Sequence, residues 1–183
     1  MLLEDNLMDI VVLILEIVAD VLSGLITALL AYQLILSMFG YKRSTKDYED
    51  HAPQMRFLAL VPAHNESKVI ADIIRNLQNM DYPKELYDFY ILADNCTDNT
   101  AEVARAMGAN VIESRKQSPD EPNGKPIVLQ KALVALEGYQ TQYDLIMIFD
   151  ADNLIDHDMF REVNSQYLSN GQKEDFIQCY LGC

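Results

Sequence analysis

Two acidic residues, Asp150 and Asp152, directly follow a run of five apolar residues at 145–149 (Leu-Ile-Met-Ile-Phe). A short, continuous apolar run is typical of a strand buried on both faces, in the middle of a parallel sheet. Residues i and i+2 of an extended chain point to the same side, so we expect both carboxylates to aim at one point. That point lies beyond the carboxyl end of a central strand, where open α/β sheets bind ligands. Two hard oxygen ligands suit Mg²⁺ or Mn²⁺, which also take ligands from water and substrate phosphates.

The residues around this pair exclude two kinds of site and leave two other interpretations open. A calcium loop of the Asp-x-Asp-x-Asn-Gly type is excluded, because Leu154 and Ile155 occupy the positions of a ligand and of the glycine. A Walker-type nucleoside triphosphatase is excluded as well. Its glycine-rich loop ends in Gly-Lys-Ser/Thr, whereas residues 123–126 read Asn-Gly-Lys-Pro. A phosphatase with Asp150 as its nucleophile stays open, and so does an acidic turn without a ligand.

Charge and cysteine content limit the partners of the chain. The net charge of −14 over 183 residues, without a basic stripe, predicts that nucleic acid is not a partner. Cys96, Cys179 and Cys183 form no Cys-x-x-Cys pair, and paired histidines are absent from the sequence. We therefore expect neither a disulfide framework nor a zinc site, but reduced thiols on the cytosolic side of a membrane. The length suits one domain plus an appendage.

A long apolar segment near the N-terminus predicts a membrane anchor. The 19 residues from Val21 to Phe39 carry no charge, and apolar character extends back to residue 10. About 20 residues suffice to cross a hydrocarbon core of about 30 Å. Because Lys42, Arg43 and Lys46 follow this segment, its C-terminal side is expected in the cytoplasm. We predict an acidic flank at 1–9, a single transmembrane helix at 10–39 in the cell membrane, a linker at 40–55 and a cytoplasmic domain at 56–183.

Strand and helix patterns alternate after the predicted linker. Apolar runs predict strands at 56–61, 87–93, 111–112, 145–149 and 176–181. Apolar residues at helical spacing, with capping and stop signals, predict helices at 66–79, 100–107, 126–136 and 158–168. This alternation indicates an α/β fold with a mostly parallel, doubly wound sheet.

Polar side chains follow three of the predicted strands. Residues 61–66 (Val-Pro-Ala-His-Asn-Glu) end the first, 93–100 (Ala-Asp-Asn-Cys-Thr-Asp-Asn-Thr) end the second, and the Asp150–Asp152 pair ends the third. Because the carboxyl ends of parallel strands open on the same edge of a sheet, we expect these groups to converge. An ionised Asp94 only accepts hydrogen bonds, which suits the imide N–H of a uracil ring.

Several of these residues also have a structural interpretation. Asp98 or Thr97 is suited to cap the following helix. Glu66 fits either a ligand contact or an acid favoured in the first turn of a helix. His64 is typical of a packed, hydrogen-bonded histidine, and Lys125 fits either a solvated loop lysine or a contact to a diphosphate.

Together these motifs resemble those of family 2 glycosyltransferases, which are inverting enzymes of the GT-A fold (a nucleotide-diphospho-sugar transferase fold with a Rossmann-like, mostly parallel sheet). Residues 61–66 are similar to the family's Val-Pro-x-(His/Tyr)-Asn-Glu opening, and 91–100 to its Val-Val-Asp-Asp-Gly-Ser-Thr-Asp-Gly-Thr segment. Residues 124–132 resemble its Gly-Lys-x-x-Ala-Leu-x-x-Ala stretch, and 150–152 its metal-binding Asp-x-Asp. The four motifs occur in the family's order, and the resemblance extends from residue 56 to 183.

The resemblance implies transfer of a sugar, with inversion, from a UDP-sugar to a saccharide or lipid acceptor. It implies Mg²⁺ or Mn²⁺ as the cofactor, bound by Asp152 with Asp150 and bridging the diphosphate. Asp94 would contact the uracil ring. The nucleotide-sugar site as a whole would comprise Pro62, Ala63, Glu66, Asp94, Lys125 and Asp150.

The sequence also departs from the family pattern. Ala93 replaces the first Asp of the usual pair, while Asn95 and Cys96 replace Gly-Ser. The family's catalytic base and the Gln-x-x-Arg-Trp motif of its processive members lie in the acceptor half, and this chain has no Trp. We therefore expect the base beyond Cys183, in a longer enzyme of which this chain, incomplete at its C-terminus and inactive alone, is the N-terminal part. The alternative is a catalytically inactive protein that binds a nucleotide-sugar or a membrane partner.

Overall fold

The computed structural model describes residues 2–40, 48–116, 118, 120–122, 124–175 and 177, in two units divided between Asp47 and Tyr48. The first unit holds helix α1, Leu2–Gly40. Within it, Val12–Met38 is exposed, has a mean hydropathy of 2.2 and is long and apolar enough to cross a membrane. The predicted N-terminal apolar helix is therefore present. Lys42, Arg43 and Lys46 lie outside the described residues.

The second unit is built on a four-stranded sheet in the order β3-β2-β1-β4. Its strands are β1 (Phe57–Ala63), β2 (Tyr87–Asp94), β3 (Asn110–Ser114) and β4 (Leu145–Ile148). Every neighbouring pair runs parallel, which confirms the predicted parallel α/β sheet. The chain adds β2 and β3 on one side of β1 and then returns to place β4 on the other side. This reversal leaves a crevice at the carboxyl ends of β1 and β4, the usual ligand position in such sheets.

The remaining elements connect and cover the strands. They are α2 (Ile70–Gln78), a 3₁₀ helix (Lys84–Leu86), α3 (Thr100–Ala106), α4 (Lys125–Ala135), α5 (Tyr139–Gln142) and α6 (Met159–Ser169). Helix α2 begins later than predicted, because the Glu66 carbonyl accepts the N–H groups of Val69 and Ile70 and closes a turn ahead of the helix. The 3₁₀ helix and α5 were not predicted, since elements of three and four residues are too short for a periodic signal.

The core has a layer on each face of β1, because alternate residues of a strand point to opposite faces. Phe57, Ala59 and Val61 face a layer formed with α2, α3 and α6. In that layer the Phe160 ring of α6 stacks on Phe57 with a centroid distance of 4.9 Å. Leu58 and Leu60 face the other layer, which α4 closes with apolar side chains. Strand β1 is therefore buried on both sides.

Strand β4 is less buried than its apolar run predicts. Among the described residues it pairs only with β1, at the edge of the sheet. Ile146 and Ile148 are 42% and 50% exposed, while Met147 is buried. One face of β4 is therefore half exposed among the described residues, so the burial on both faces that the apolar run predicts was wrong. The predicted strand at 176–181 lies, apart from Ile177, outside the described residues.

A buried amide fastens the start of the second unit to α6. The Asn164 side chain is fully buried, and its Oδ1 accepts the N–H groups of Gln54 (3.0 Å) and Met55 (3.1 Å). The Tyr82 hydroxyl also donates to this oxygen (3.1 Å), and Nδ2 donates to the Ala52 carbonyl (3.1 Å). Burial raises the pKa of the Tyr82 hydroxyl to about 12. Part of the predicted linker thus packs as one piece with the α/β unit.

Candidate functional site

The carboxyl ends of β1, β2 and β4 form one edge of the sheet, here called the carboxyl edge. Ala63 pairs with Ala93 across β1 and β2, so the residues that follow them are neighbours. His64 Nδ1 donates to the Asp94 carbonyl oxygen at 2.6 Å, which joins the first two strand ends. The Phe149 N–H continues the β4 ladder onto β1. The structure therefore brings together the three strand ends that the sequence marks with polar residues. His64 itself is exposed and hydrogen-bonded rather than packed.

Among the described residues, only one of the two oxygens of the Asp94 carboxylate accepts hydrogen bonds. Its Oδ1 accepts from the Ser114 hydroxyl (2.6 Å) and from Asn95 Nδ2 (2.9 Å). The Asn95 side chain is fixed in turn, because its Oδ1 accepts the Lys116 N–H at 2.7 Å. Within the described part of the chain, Oδ2 of Asp94 has no hydrogen-bond partner. The geometry thus orients one carboxylate oxygen and leaves the other as a free acceptor.

Sequence reasoning missed Ser114. Ser114 lies beyond the predicted third strand, whereas in the structure it is the last residue of β3 and pairs with Asp94. The predicted third strand, 111–112, was too short to reach the carboxyl edge. Like the residues that follow the other strands, Ser114 is a polar residue at the end of a strand. A predicted third strand that reached residue 114 would have identified it.

The residues that follow β2 contact the start of α3 and the residues that follow β1. Asp98 Oδ1 accepts from the Thr100 hydroxyl (2.5 Å) and N–H (3.1 Å), and Oδ2 accepts from the Ser67 N–H (3.2 Å). These hydrogen bonds, that of the Thr100 hydroxyl first, lower the pKa of the Asp98 carboxyl to about 2. Thr97 has a different partner, because its N–H and hydroxyl donate to Asn65 Oδ1. Of the two expected capping residues, only Asp98 contacts the start of the helix.

Asp150 and Asp152 lie on a turn rather than in an extended chain. Strand β4 ends at Ile148, and the Asn153 N–H donates to the Asp150 carbonyl at 3.1 Å. The extended geometry that we expected for the pair was therefore wrong. Burial nevertheless alternates along the turn: the side chain of Ala151 is buried, whereas both aspartates are exposed. The core contact of Ala151 thus keeps both carboxylates on the solvent side.

Lys125 joins the start of α4 to this turn. It follows Gly124, whose φ of 113° lies in a region that residues with a Cβ rarely adopt. The Lys125 ammonium forms an ion pair with the Asp150 carboxylate. Both side chains remain about half exposed, at 44% and 56%. The Lys125 ammonium and the Asp150 carboxylate are therefore paired in an open region of the carboxyl edge, two residues from the exposed Asp152.

The acidic pair suits an ion that shares its ligands with a substrate. No three His, Cys, Asp or Glu side chains in the described part of the chain come together as a complete metal site. Two exposed carboxylates fit Mg²⁺ or Mn²⁺, which keep waters and take phosphate oxygens as further ligands. They do not fit a closed structural site, which needs four protein ligands.

The other predicted site residues lie at the end of β1 and just after it. Pro62 is half-buried and Ala63 is buried, and both pair with β2. Neither presents a long side chain at the carboxyl edge. The Glu66 N–H donates to the Thr100 hydroxyl oxygen at 2.9 Å, while its half-buried side chain follows the β1 end.

Comparison with curated proteins finds glycosyltransferases. Beta-monoglucosyldiacylglycerol synthase of Nostoc sp. is 32% identical over 106 residues, which is 57% of this chain and 22% of that protein. The probable glycosyltransferase YdaM of Bacillus subtilis is 27% identical over 141 residues, which is 71% of this chain and 32% of that protein. The chain thus spans between a fifth and a third of the length of these relatives.

A solved structure shares the fold. The mannosyltransferase PcManGT from Pyrobaculum calidifontis, solved in complex with GDP-Man and Mn²⁺, superposes with a TM-score of 0.54 at 21% identity. The match covers 74% of this chain and 39% of the mannosyltransferase. This similarity confirms the GT-A fold. The model of the family "Glycosyltransferase like family 2" matches residues 53–183, which is most of the chain. The chain therefore belongs to the family 2 glycosyltransferases.

Proposed function

We propose that this protein binds a UDP-sugar together with a divalent ion and transfers the sugar, with inversion, to a hydroxyl of a saccharide or lipid acceptor. One observation carries the proposal: an oriented aspartate at the end of β2, and a lysine paired with an exposed acidic turn after β4, lie along the same edge of the sheet. These groups match the three parts of a nucleoside diphosphate-sugar, namely its base, its diphosphate and the ion bound to that diphosphate.

Asp94 is the proposed contact to the uracil base. Its Oδ1 is occupied by the Ser114 and Asn95 side chains. The second oxygen accepts the imide N–H of uracil, because an ionised carboxylate only accepts. The fixed orientation lowers the entropy lost on binding.

Lys125 and the acidic pair are the proposed contacts to the diphosphate. The ammonium group stands at the first residue of α4, where the helix dipole also favours an anion. Asp152 and Asp150 would hold Mg²⁺ or Mn²⁺, which as a Lewis acid stabilises the negative charge of a departing diphosphate. Before the donor binds, Lys125 neutralises Asp150. With the donor bound, the same ammonium group pairs with a phosphate oxygen.

The transfer itself needs an acceptor hydroxyl behind the anomeric carbon. The hydroxyl oxygen bonds to that carbon as the bond to the UDP oxygen breaks, and a general base takes the hydroxyl proton. The groups at the carboxyl edge orient the donor for this in-line attack. None of the residues to which we assign a role is this general base.

The role of Asp94 is tested with the full chain in detergent micelles. Asp94→Ala is expected to weaken UDP and UMP binding about fivefold, since one hydrogen bond contributes about 1 kcal/mol net. Pyrophosphate binding should stay unchanged, because it lacks the base. Isothermal titration calorimetry measures all three. Asp88→Ala, at the other end of β2, is the matched control and should bind like wild type. If Asp94→Ala lowered the affinities for UDP and for pyrophosphate equally, Asp94 would not be the contact to the base.

The proposed cytoplasmic location of the α/β unit gives a second test. In a background without native cysteines, Asp5→Cys and Asp47→Cys place single thiols before and after the apolar segment. A membrane-impermeant maleimide applied to intact cells should label only Asp5→Cys, because Lys42, Arg43 and Lys46 keep their side of the span inside. Both variants should react in permeabilised cells. If only Asp47→Cys were labelled in intact cells, the topology would be the opposite of the proposed one.

A further inference from the structure

Two loops at the carboxyl edge are joined by side-chain hydrogen bonds, and each loop contributes a side chain that reaches the other. The β1 loop, residues 64–69, follows β1, and the β2 loop, residues 95–99, follows β2. Asn65 of the β1 loop and Asp98 of the β2 loop each accept backbone N–H groups of the opposite loop through a side-chain oxygen. The Sγ of Cys96 in the β2 loop also accepts the Asn65 N–H, at 3.5 Å. The proposed base contact, Asp94, directly precedes the β2 loop, and Glu66 lies within the β1 loop.

Asn65 reaches from the β1 loop to the β2 loop. Its Oδ1 accepts the Thr97 N–H (2.8 Å), the Thr97 hydroxyl (3.3 Å) and the Asp98 N–H (3.3 Å). The backbone of Asn65 is left-handed, with a φ of 56°. Asparagine tolerates this conformation better than most residues. Three donors converge on this one oxygen, so it offers little to a ligand.

Asp98 reaches back from the β2 loop. One carboxylate oxygen accepts the Ser67 N–H of the β1 loop (3.2 Å), and the other accepts the hydroxyl (2.5 Å) and N–H (3.1 Å) of Thr100. The Thr100 hydroxyl oxygen in turn accepts the Glu66 N–H (2.9 Å). Thr100 is fully buried, whereas Asp98 and Ser67 are half-buried, so this second bridge is shielded from water at its Thr100 end.

We propose that Asn65 and Asp98 are positioning residues that clamp the β1 and β2 loops into one preformed surface for the uridine part of the donor. Their acceptor oxygens are already used by protein donors, so they act through Asp94 and Glu66 rather than by touching the ligand. Loss of either acceptor leaves at least one backbone N–H group of the opposite loop without its partner and loosens the contact between the loops. The donor must then order them on binding, which lowers its affinity. This inference rests on the proposed function.

The test uses the full chain in detergent micelles with UMP, and UDP with Mn²⁺, as probes. Asn65→Gly removes the acceptor but keeps the left-handed backbone accessible. Asp98→Asn replaces one acceptor with an N–H donor. Each variant should bind UMP about fivefold more weakly. The ratio of UDP–Mn²⁺ affinity to UMP affinity should equal that of wild type, because the Asp150–Asp152 turn is untouched.

Two matched variants separate the clamp from backbone strain and from general loss of structure. Gln172→Gly makes the same kind of change at another left-handed residue, with a φ of 58°, and should bind UMP like wild type. Asn65→Asp restores an acceptor at a residue type that tolerates positive φ, and should recover UMP affinity to within about twofold. Amide hydrogen exchange should accelerate in both loops of Asn65→Gly without nucleotide, while β1 and β2 stay protected.

The outcomes distinguish this inference from the proposed function. Wild type that binds neither UMP nor UDP–Mn²⁺ overturns the proposed function, and the clamp assignment with it. Wild type that binds both, with Asn65→Gly and Asp98→Asn equal to it, overturns the clamp alone. A change in the UDP–Mn²⁺ to UMP affinity ratio also overturns the clamp, because it places the effect outside the two loops.

Discussion

Asp152→Asn is expected to weaken Mn²⁺-dependent binding of UDP at least tenfold. Asp152 is exposed on the turn after β4, and its carboxylate stands two residues from the Asp150 carboxylate that pairs with Lys125. Asparagine keeps one oxygen ligand but loses the negative charge. A charged contact contributes about 1.5–3 kcal/mol, which is at least a factor of ten in affinity. UMP binding, which does not require the ion in this proposal, should be unaffected.

Calorimetric titrations of UDP with Mn²⁺ and with a chelator measure this effect. Asp156→Asn is the matched control, since Asp156 is also exposed, lies four residues further along the chain and undergoes the same chemical change. It should bind UDP–Mn²⁺ like wild type. If wild type binds UDP equally well with and without the chelator, no metal takes part. If Asp152→Asn matches the control, Asp152 is not a ligand.

Asn164→Ala is expected to lower the free energy of unfolding of the α/β unit by about 3 kcal/mol. The buried amide takes part in five hydrogen bonds, three through Oδ1 and two through Nδ2. Alanine removes the acceptor of the Gln54 and Met55 N–H groups, whose hydrogen bonds are part-buried, and that of the Tyr82 hydroxyl, whose hydrogen bond is buried. Each buried, unsatisfied donor costs about 1–3 kcal/mol. Residues 52–55 should then detach from α6.

Urea denaturation of the full chain in detergent micelles measures the loss. Near-ultraviolet circular dichroism is a suitable signal, because the sequence contains ten tyrosines and no tryptophan. Asn170→Ala, at the exposed end of the same helix, removes an amide that donates to Glu174 Oε1 at 2.6 Å. That control should change the free energy of unfolding by no more than about 0.5 kcal/mol. A similar small change in Asn164→Ala would show that the buried amide does not hold the segment in place.

The sequence by itself determined the kind and order of the main elements. Apolar runs located all four described strands, and helical spacing located α2, α3, α4 and α6 to within a few residues of their ends. These are local signals, because they depend on the alternation of side chains along one segment. The uncharged segment at Val21–Phe39 identified the apolar helix for the same reason. The four motifs in order identified the family, which the match over residues 53–183 shows.

The position of β4 was decided by tertiary structure. Its five apolar residues predict burial on both faces, yet Ile146 and Ile148 are half exposed at the edge of the described sheet. Strand order follows from which helices cover which strands. That information is spread over the whole chain and cannot be read from a single run of residues.

The contacts within the candidate site were likewise decided by tertiary structure. Lys125 and Asp150 lie 25 residues apart in sequence, and Ser114 and Asp94 lie 20 apart. Asp150 and Asp152 were expected to align through an extended chain, but a turn and the buried Ala151 orient them instead. Sequence indicates that a residue is polar and follows a strand. Which acceptor meets which donor depends on strand register and loop conformation, because a hydrogen bond forms only within a few tenths of an ångström of its preferred length.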